Sequence, residues 1–139
     1  MKKILSILLL LTLSFTLAGC ADDTGDDLDY SDFDHLSNYS QVLTQEEDQY
    51  FVYFYATWCS ICATVKTDVL TFTNSNVNDA KVYLIDIDHL AGENFIPGFD
   101  GVPTMVTIVN GQLVNMNVGG TAIRITINDT NASNYSYFD

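Results

Sequence analysis

The sequence predicts a single α/β domain with a central mixed β-sheet flanked by helices, and three observations carry that prediction. Residues 50–56 (YFVYFYA) are an unbroken run of β-favouring residues, as expected of a strand covered on both faces, and residues 82–87 (VYLIDI) read as another buried strand. Between them Cys62, Val65, Val69 and Phe72 recur at helical spacing, and a connection that crosses over through a helix makes the two strands parallel. Farther on, residues 104–109 and 113–118 flank Asn110-Gly111-Gln112. Asn-Gly tolerates positive φ at both turn positions, so these two segments are expected to pair as an antiparallel hairpin.

The remaining elements are shorter. Residues 32–36 alternate weakly and suit an edge strand. Asn38 and Gln41 have capping-box spacing at the head of a short stretch that puts Tyr39, Val42 and Leu43 on one helical face. The helix after the first strand is stopped by the asparagine-rich residues 74–78, and a loop with Pro97 and Gly98 leads into the hairpin. Residues 121–129 fit two patterns: Ile123 and Ile127 share a helical face, while Ile123, Ile125 and Ile127 alternate as in a strand. The stretch is read as helix. Residues 131–139 are polar and aromatic without a period and are expected to form a loose C-terminal tail.

A chain of 139 residues suffices for one ordinary domain, here residues 32–130, once export and linking segments are set aside. The formal net charge is -13, and it becomes -15 if the segment carrying Lys2 and Lys3 is removed. Such a surface repels nucleic acid and anionic lipid headgroups, so neither is an expected electrostatic partner.

Residues 1–19 have the layout of an export signal. Lys2 and Lys3 give a cationic start, residues 4–17 are mostly apolar, and Ala18-Gly19 supply small residues before Cys20. The apolar run is shorter than a spanning helix needs, and Ser6, Thr12 and Ser14 interrupt it. Leu17-Ala18-Gly19-Cys20 resembles the lipobox of bacterial lipoproteins. That resemblance implies a diacylglyceryl thioether on Cys20, cleavage before it, and a domain held on the outer side of the membrane, because two acyl chains anchor stably where one binds reversibly. Residues 20–31 would then be the lipidated cysteine and an acidic tether. Seven aspartates fall between positions 21 and 34, and a segment so charged and so poor in apolar residues has little to order it.

The other two cysteines form the pair Cys59-Ser60-Ile61-Cys62, which follows the first strand directly and opens the helix. At that spacing both sulfurs lie on one face of the first turn, within disulfide reach. The unsatisfied amides and partial positive charge of a helix N-terminus favour thiolate, so Cys59 is expected to ionise below the free value of about 8.5 and to act as nucleophile. Cys62, one turn in and buried, stays protonated until it resolves a mixed disulfide. A c-type haem site requires histidine after the second cysteine, where Ala63 stands. Zinc requires further ligands, and His35 and His89 lack paired spacing, so no metal is expected. A structural disulfide closing so small a loop constrains the unfolded chain little.

With residues 53–62 (YFYATWCSIC), Gly101-Val102-Pro103-Thr104 ahead of a strand, and an Asn-Gly hairpin, the chain resembles the thioredoxin superfamily over about two thirds of its length in element order. The resemblance implies a thioredoxin-like fold with Pro103 cis against the active-site disulfide, Val102 offering its backbone to a substrate strand, and Trp58 shielding the cysteines. It implies thiol-disulfide exchange with no cofactor beyond the Cys59-Cys62 pair. The expected partners are exported proteins with thiols or disulfides and a redox protein that recycles the pair. Two departures stand out. Typical members carry a buried acid on the strand before the motif, whereas this chain has Tyr53, and Ser60-Ile61 matches neither the Gly-Pro of reductants nor the Pro-His of strong oxidants. The direction of exchange is therefore open, and a non-catalytic binding module on the same fold is the alternative. The final helix of the family is expected to be short or missing, leaving one face of the sheet thinly covered.

Overall fold

The computed structural model describes residues 27–132 apart from 76 and 95. The leader, Cys20, most of the acidic tether and the tail from residue 133 lie outside the described residues. Strand β1 (Gln49–Tyr55), helix α1 (Ser60–Ser75) and strand β2 (Lys81–Asp86) form the expected βαβ unit, with β1 and β2 parallel. Strands β3 (Thr104–Val109) and β4 (Gln112–Val118) form the expected hairpin. Asn110 and Gly111 both have positive φ, at 49° and 71°, which is the conformation that Asn-Gly supplies at low cost. The sheet order is β2-β1-β3-β4, with β3 antiparallel to β1, so the sheet is mixed.

Strand β1 occupies the centre and is buried at every residue after Gln49. Its side chains alternate between two cores. Phe51, Tyr53 and Tyr55 join Val82, Leu84 and Met105 under the helices, packed on Val65, Val69, Phe72, Ile123 and Ile127. Tyr50, Val52 and Phe54 join Ile85, Val106 and Ile108 on the opposite face. That second face is covered by Leu36, Tyr39, Val42, Leu90, Ile96 and Phe99, which come from loops and single turns of 3-10 helix.

Two expectations about the edges are corrected. Residues 32–36 do not form a strand: Tyr30–Asp32 is a 3-10 turn closed by an Asp29 capping box, and only a bridge from His35 to Leu84 touches the sheet. The Leu36 amide donates to the Leu84 carbonyl at 2.9 Å and Leu84 donates to Asp34 at 3.0 Å, after which the Asn38 cap turns the chain away. The Asn38–Gln41 capping box is present as expected and heads a short helical stretch, the 3-10 turn Tyr39–Gln41. The last helix is neither short nor missing, since α2 spans Gly120–Asn131 and lies beside α1. Ile125 is 53% exposed while Ile123, Thr126, Ile127 and Thr130 are buried, so the helical period of residues 121–129 prevails over the alternating one.

Burial holds the phenols of Tyr53, Tyr55 and Tyr83 protonated well above their ordinary 10; the Asp86 carboxylate adds to the effect at Tyr55, and a hydrogen bond to Glu47 adds to it at Tyr83. The unfolded chain ionises these groups from about pH 10 and the fold does not. Their contribution to stability is therefore intact below that pH and lost as pH rises beyond it. Titration followed by circular dichroism and tyrosinate absorbance is expected to show a cooperative step in both signals together. Ionisation of every tyrosine before the fold is lost would contradict it.

Candidate redox site

The site forms where β1 hands over to α1. The Cys59 amide donates to the Ala56 carbonyl at 3.2 Å, and the Cys59 carbonyl accepts from the Ala63 amide at 3.1 Å as the first bond of the helix. This turn brings Cys59 and Cys62 to a Cα separation of 5.2 Å, and their sulfurs form a disulfide. The free amide of Cys62 donates to the Cys59 sulfur at 3.1 Å, so an unsatisfied donor of the helix N-terminus is aimed at the atom that must carry negative charge when the disulfide opens. Cys59 is 8% exposed and Cys62 1% exposed. Cys59 is therefore the more open residue of the pair, and both belong to the core cluster that includes Tyr53, Tyr55 and Val65.

The second motif comes to the same place from the far end of the chain. Val102-Pro103 is cis, and Cys59 Sγ lies 3.7 Å from the Val102 carbonyl oxygen. Pro103 is buried, with its carbonyl accepting from the Gly119 amide at 2.9 Å, and the Thr104 hydroxyl donates back to the Gly101 carbonyl at 2.7 Å. The loop is thereby fastened to β4 and to itself. Trp58 is 67% exposed, and its indole N–H donates to Asp88 Oδ2 at 2.8 Å. Ile61 also faces solvent, at 52% exposure. Trp58, Cys59, Cys62, Val102 and Pro103 are thus brought together, and Cys20 lies outside the described residues.

Asp88 was not legible as part of the site. The available signal was its place just past the buried strand β2, at the sheet end where β1 delivers Trp58, since Tyr55 and Asp86 are register partners. Tyr53, at the position of the family's buried acid, is fully buried, and its hydroxyl and that of Tyr30 have no partner with full hydrogen-bond geometry. The two phenols are still near enough to perturb each other's ionisation, and burial is the main reason both are held protonated. Among the described residues no three His, Cys, Asp or Glu side chains gather as a metal site, and no helix is long and apolar enough to cross a membrane.

Residues 33–130 match the family model described as Thioredoxin. Among solved structures, mitochondrial thioredoxin 3 of Saccharomyces cerevisiae in its oxidised form is 23% identical with a TM-score of 0.57, covering 72% of this chain and 97% of that one. Thioredoxin of Malassezia sympodialis is 25% identical with a TM-score of 0.57, over 70% of this chain and 90% of that one. Fasciola hepatica thioredoxin is 20% identical with a TM-score of 0.58, over 70% and 99%. No curated protein matches the chain. A family match across most of the chain, joined to a disulfide at the head of α1, leads to one conclusion: the chain belongs to the thioredoxin family and is a thiol-disulfide oxidoreductase.

Proposed function

We propose that this oxidoreductase works on the outer side of a bacterial membrane, anchored by a lipid on Cys20, and exchanges disulfides with exported proteins. The observation that carries the exchange chemistry is the Cys62 amide aimed at the Cys59 sulfur, 3.1 Å away, in the more exposed residue of the disulfide. Cys59 is the nucleophile. As thiolate it attacks a client disulfide, forming a mixed disulfide and expelling one client thiolate. Cys62 loses its proton and attacks the Cys59 sulfur, releasing the second client thiolate and closing Cys59–Cys62. Two electrons pass to the client, and the reverse sequence oxidises a client dithiol. Val102 and Pro103 place the client strand beside Cys59, and Trp58 covers the pair. Electrons are carried by the cysteines themselves, so no cofactor or metal enters, and a separate redox protein recycles the pair. The lipobox-like Leu17-Ala18-Gly19-Cys20 supports the location.

Tyr53 supports a second reading, a binding module without turnover, because a neutral phenol replaces the acid that takes the proton of the resolving thiol. Measuring the reduction potential of the pair together with insulin reduction separates the two. A value near about -270 mV with insulin turnover assigns a reductant, a value near about -120 mV with oxidation of reduced clients assigns an oxidant, and no turnover in either direction defeats the exchange reading and leaves the binding module. For the location, Cys20→Ala is expected to leave the membrane fraction in a carbonate wash that retains the parent chain; retention of the variant contradicts the anchor.

A further inference from the structure

The segment that leads into the family match, Leu28 to Phe33, is not a free continuation of the acidic tether. Leu28, Tyr30 and Phe33 pack against the core cluster that contains both active-site cysteines. The Tyr30 ring stacks on Tyr55 with centroids 3.7 Å apart, and Tyr55 in turn stacks on Tyr53 at 6.0 Å. Asp29 caps the turn and forms an ion pair with Lys66 at 2.7 Å, while the Lys66 ammonium sits 5.0 Å from the centre of the Tyr30 ring. Lys66 is four residues after Cys62 and lies one turn along the same face of α1. The segment is thus buckled across the helix that carries the resolving cysteine.

On its outer side this buckle borders a cleft of about 380 Å³ that reaches Tyr30, His35, Tyr55, Thr57, Asp86 and His89 but not Cys62. His35 donates from Nδ1 to the Phe33 carbonyl at 2.9 Å, an oxygen that can only accept, which leaves Nε2 to accept from the Tyr55 hydroxyl at 2.8 Å. The stacked rings of Tyr30 and Tyr55 are therefore held between an open cleft and the core around Cys62.

We infer that Tyr30 is a positioning residue for the redox reaction: its ring, buckled down by Asp29 and Lys66, closes the rear of the site so that Cys62 reacts only through Cys59. The inference rests on the exchange reading above, but its test reads thiol protection rather than turnover, so the two can fail separately. Closure matters here because Tyr53 provides no carboxylate behind Cys62. Any water admitted from the cleft would hydrate the Cys62 thiolate and give solution thiol reagents a second entry. The charged groups around the buckle are Asp29 and Lys66, which form an ion pair, Asp32, which closes the capping box, and Asp86, which acts on the Tyr55 phenol; the phenols of Tyr30, Tyr53 and Tyr55 are held neutral.

The full chain in detergent, reduced and exposed to iodoacetamide at several pH values, tests this by mass mapping of the labelled cysteines. In the parent, Cys59 is expected to label and Cys62 to be spared. In Tyr30→Ala, Cys62 labelling is expected to rise relative to Cys59 at every pH tested. Tyr30→Phe keeps the ring and is expected to restore protection. A folded Tyr30→Ala with Cys62 still spared overturns the inference, as does a Tyr30→Phe that labels like the alanine variant. If Tyr30→Ala does not fold, Asp29→Asn decides: a raised Cys62-to-Cys59 labelling ratio supports the buckle and an unchanged ratio overturns it. A purely structural loosening would raise the labelling of both cysteines together.

Discussion

Replacing Cys59 with alanine is expected to lower insulin reduction by three orders of magnitude or more, because the nucleophile is the one group without which no bond forms. The loss should appear in the chemical step. Cys62 is 1% exposed and cannot present its sulfur to a protein disulfide in place of Cys59. The complementary change, Cys62→Ala, leaves attack intact and removes the resolving thiol, so mixed disulfides through Cys59 are expected to accumulate with client proteins and to disappear in the double variant. Residual turnover above a few per cent in Cys59→Ala would mean that the second sulfur is accessible. That result would contradict both the assignment of the nucleophile and the closed rear of the site.

The second large effect is on stability. Phe54 is fully buried on the sheet face opposite the cysteines, with its ring centroid 4.7 Å from that of Phe99 and 6.4 Å from that of Tyr39. Phe54→Ala removes a ring from a face covered only by loops and single turns, and is expected to cost about 3–5 kcal/mol. For a domain of this size that is a large part of a total of roughly 5–15 kcal/mol. Urea unfolding followed by circular dichroism should show the midpoint falling with little change in slope. The molecules that remain folded should keep the parent reduction potential, since Phe54 points away from Cys62. A shifted potential would show that the two faces of the sheet are coupled through β1.

Much of this architecture is local and was readable residue by residue. The run at 50–56 is so continuously apolar that only a doubly covered strand suits it, residues 82–87 are rich enough in β-favouring residues to read as a strand, and Asn110-Gly111 carries its own turn geometry. The cysteine pair needed only its spacing and its place after a strand. The edges were less legible. At residues 32–36 a weak alternation suggested a strand, but Asp29 and Asn38 cap turns on either side of it and leave a single bridge to Leu84. At residues 121–129 the isoleucines fit two periods equally, and what separates them is the helical spacing of Thr126 and Thr130, whose burial depends on neighbours remote in the chain.

The amino-acid sequence by itself determined the order of elements, the βαβ unit, the hairpin and the identity of the reacting sulfurs, because each follows from periodicity or from neighbours within a few positions. Tertiary structure alone decided what surrounds those sulfurs. Val102 comes to Cys59 across 43 positions, Asp88 meets Trp58 across 30, and Lys66 meets Asp29 across 37. No local pattern encodes such meetings. They arise when the sheet brings the ends of its strands to one edge, and burial then determines which neighbouring side chains exclude water and which remain open to a partner.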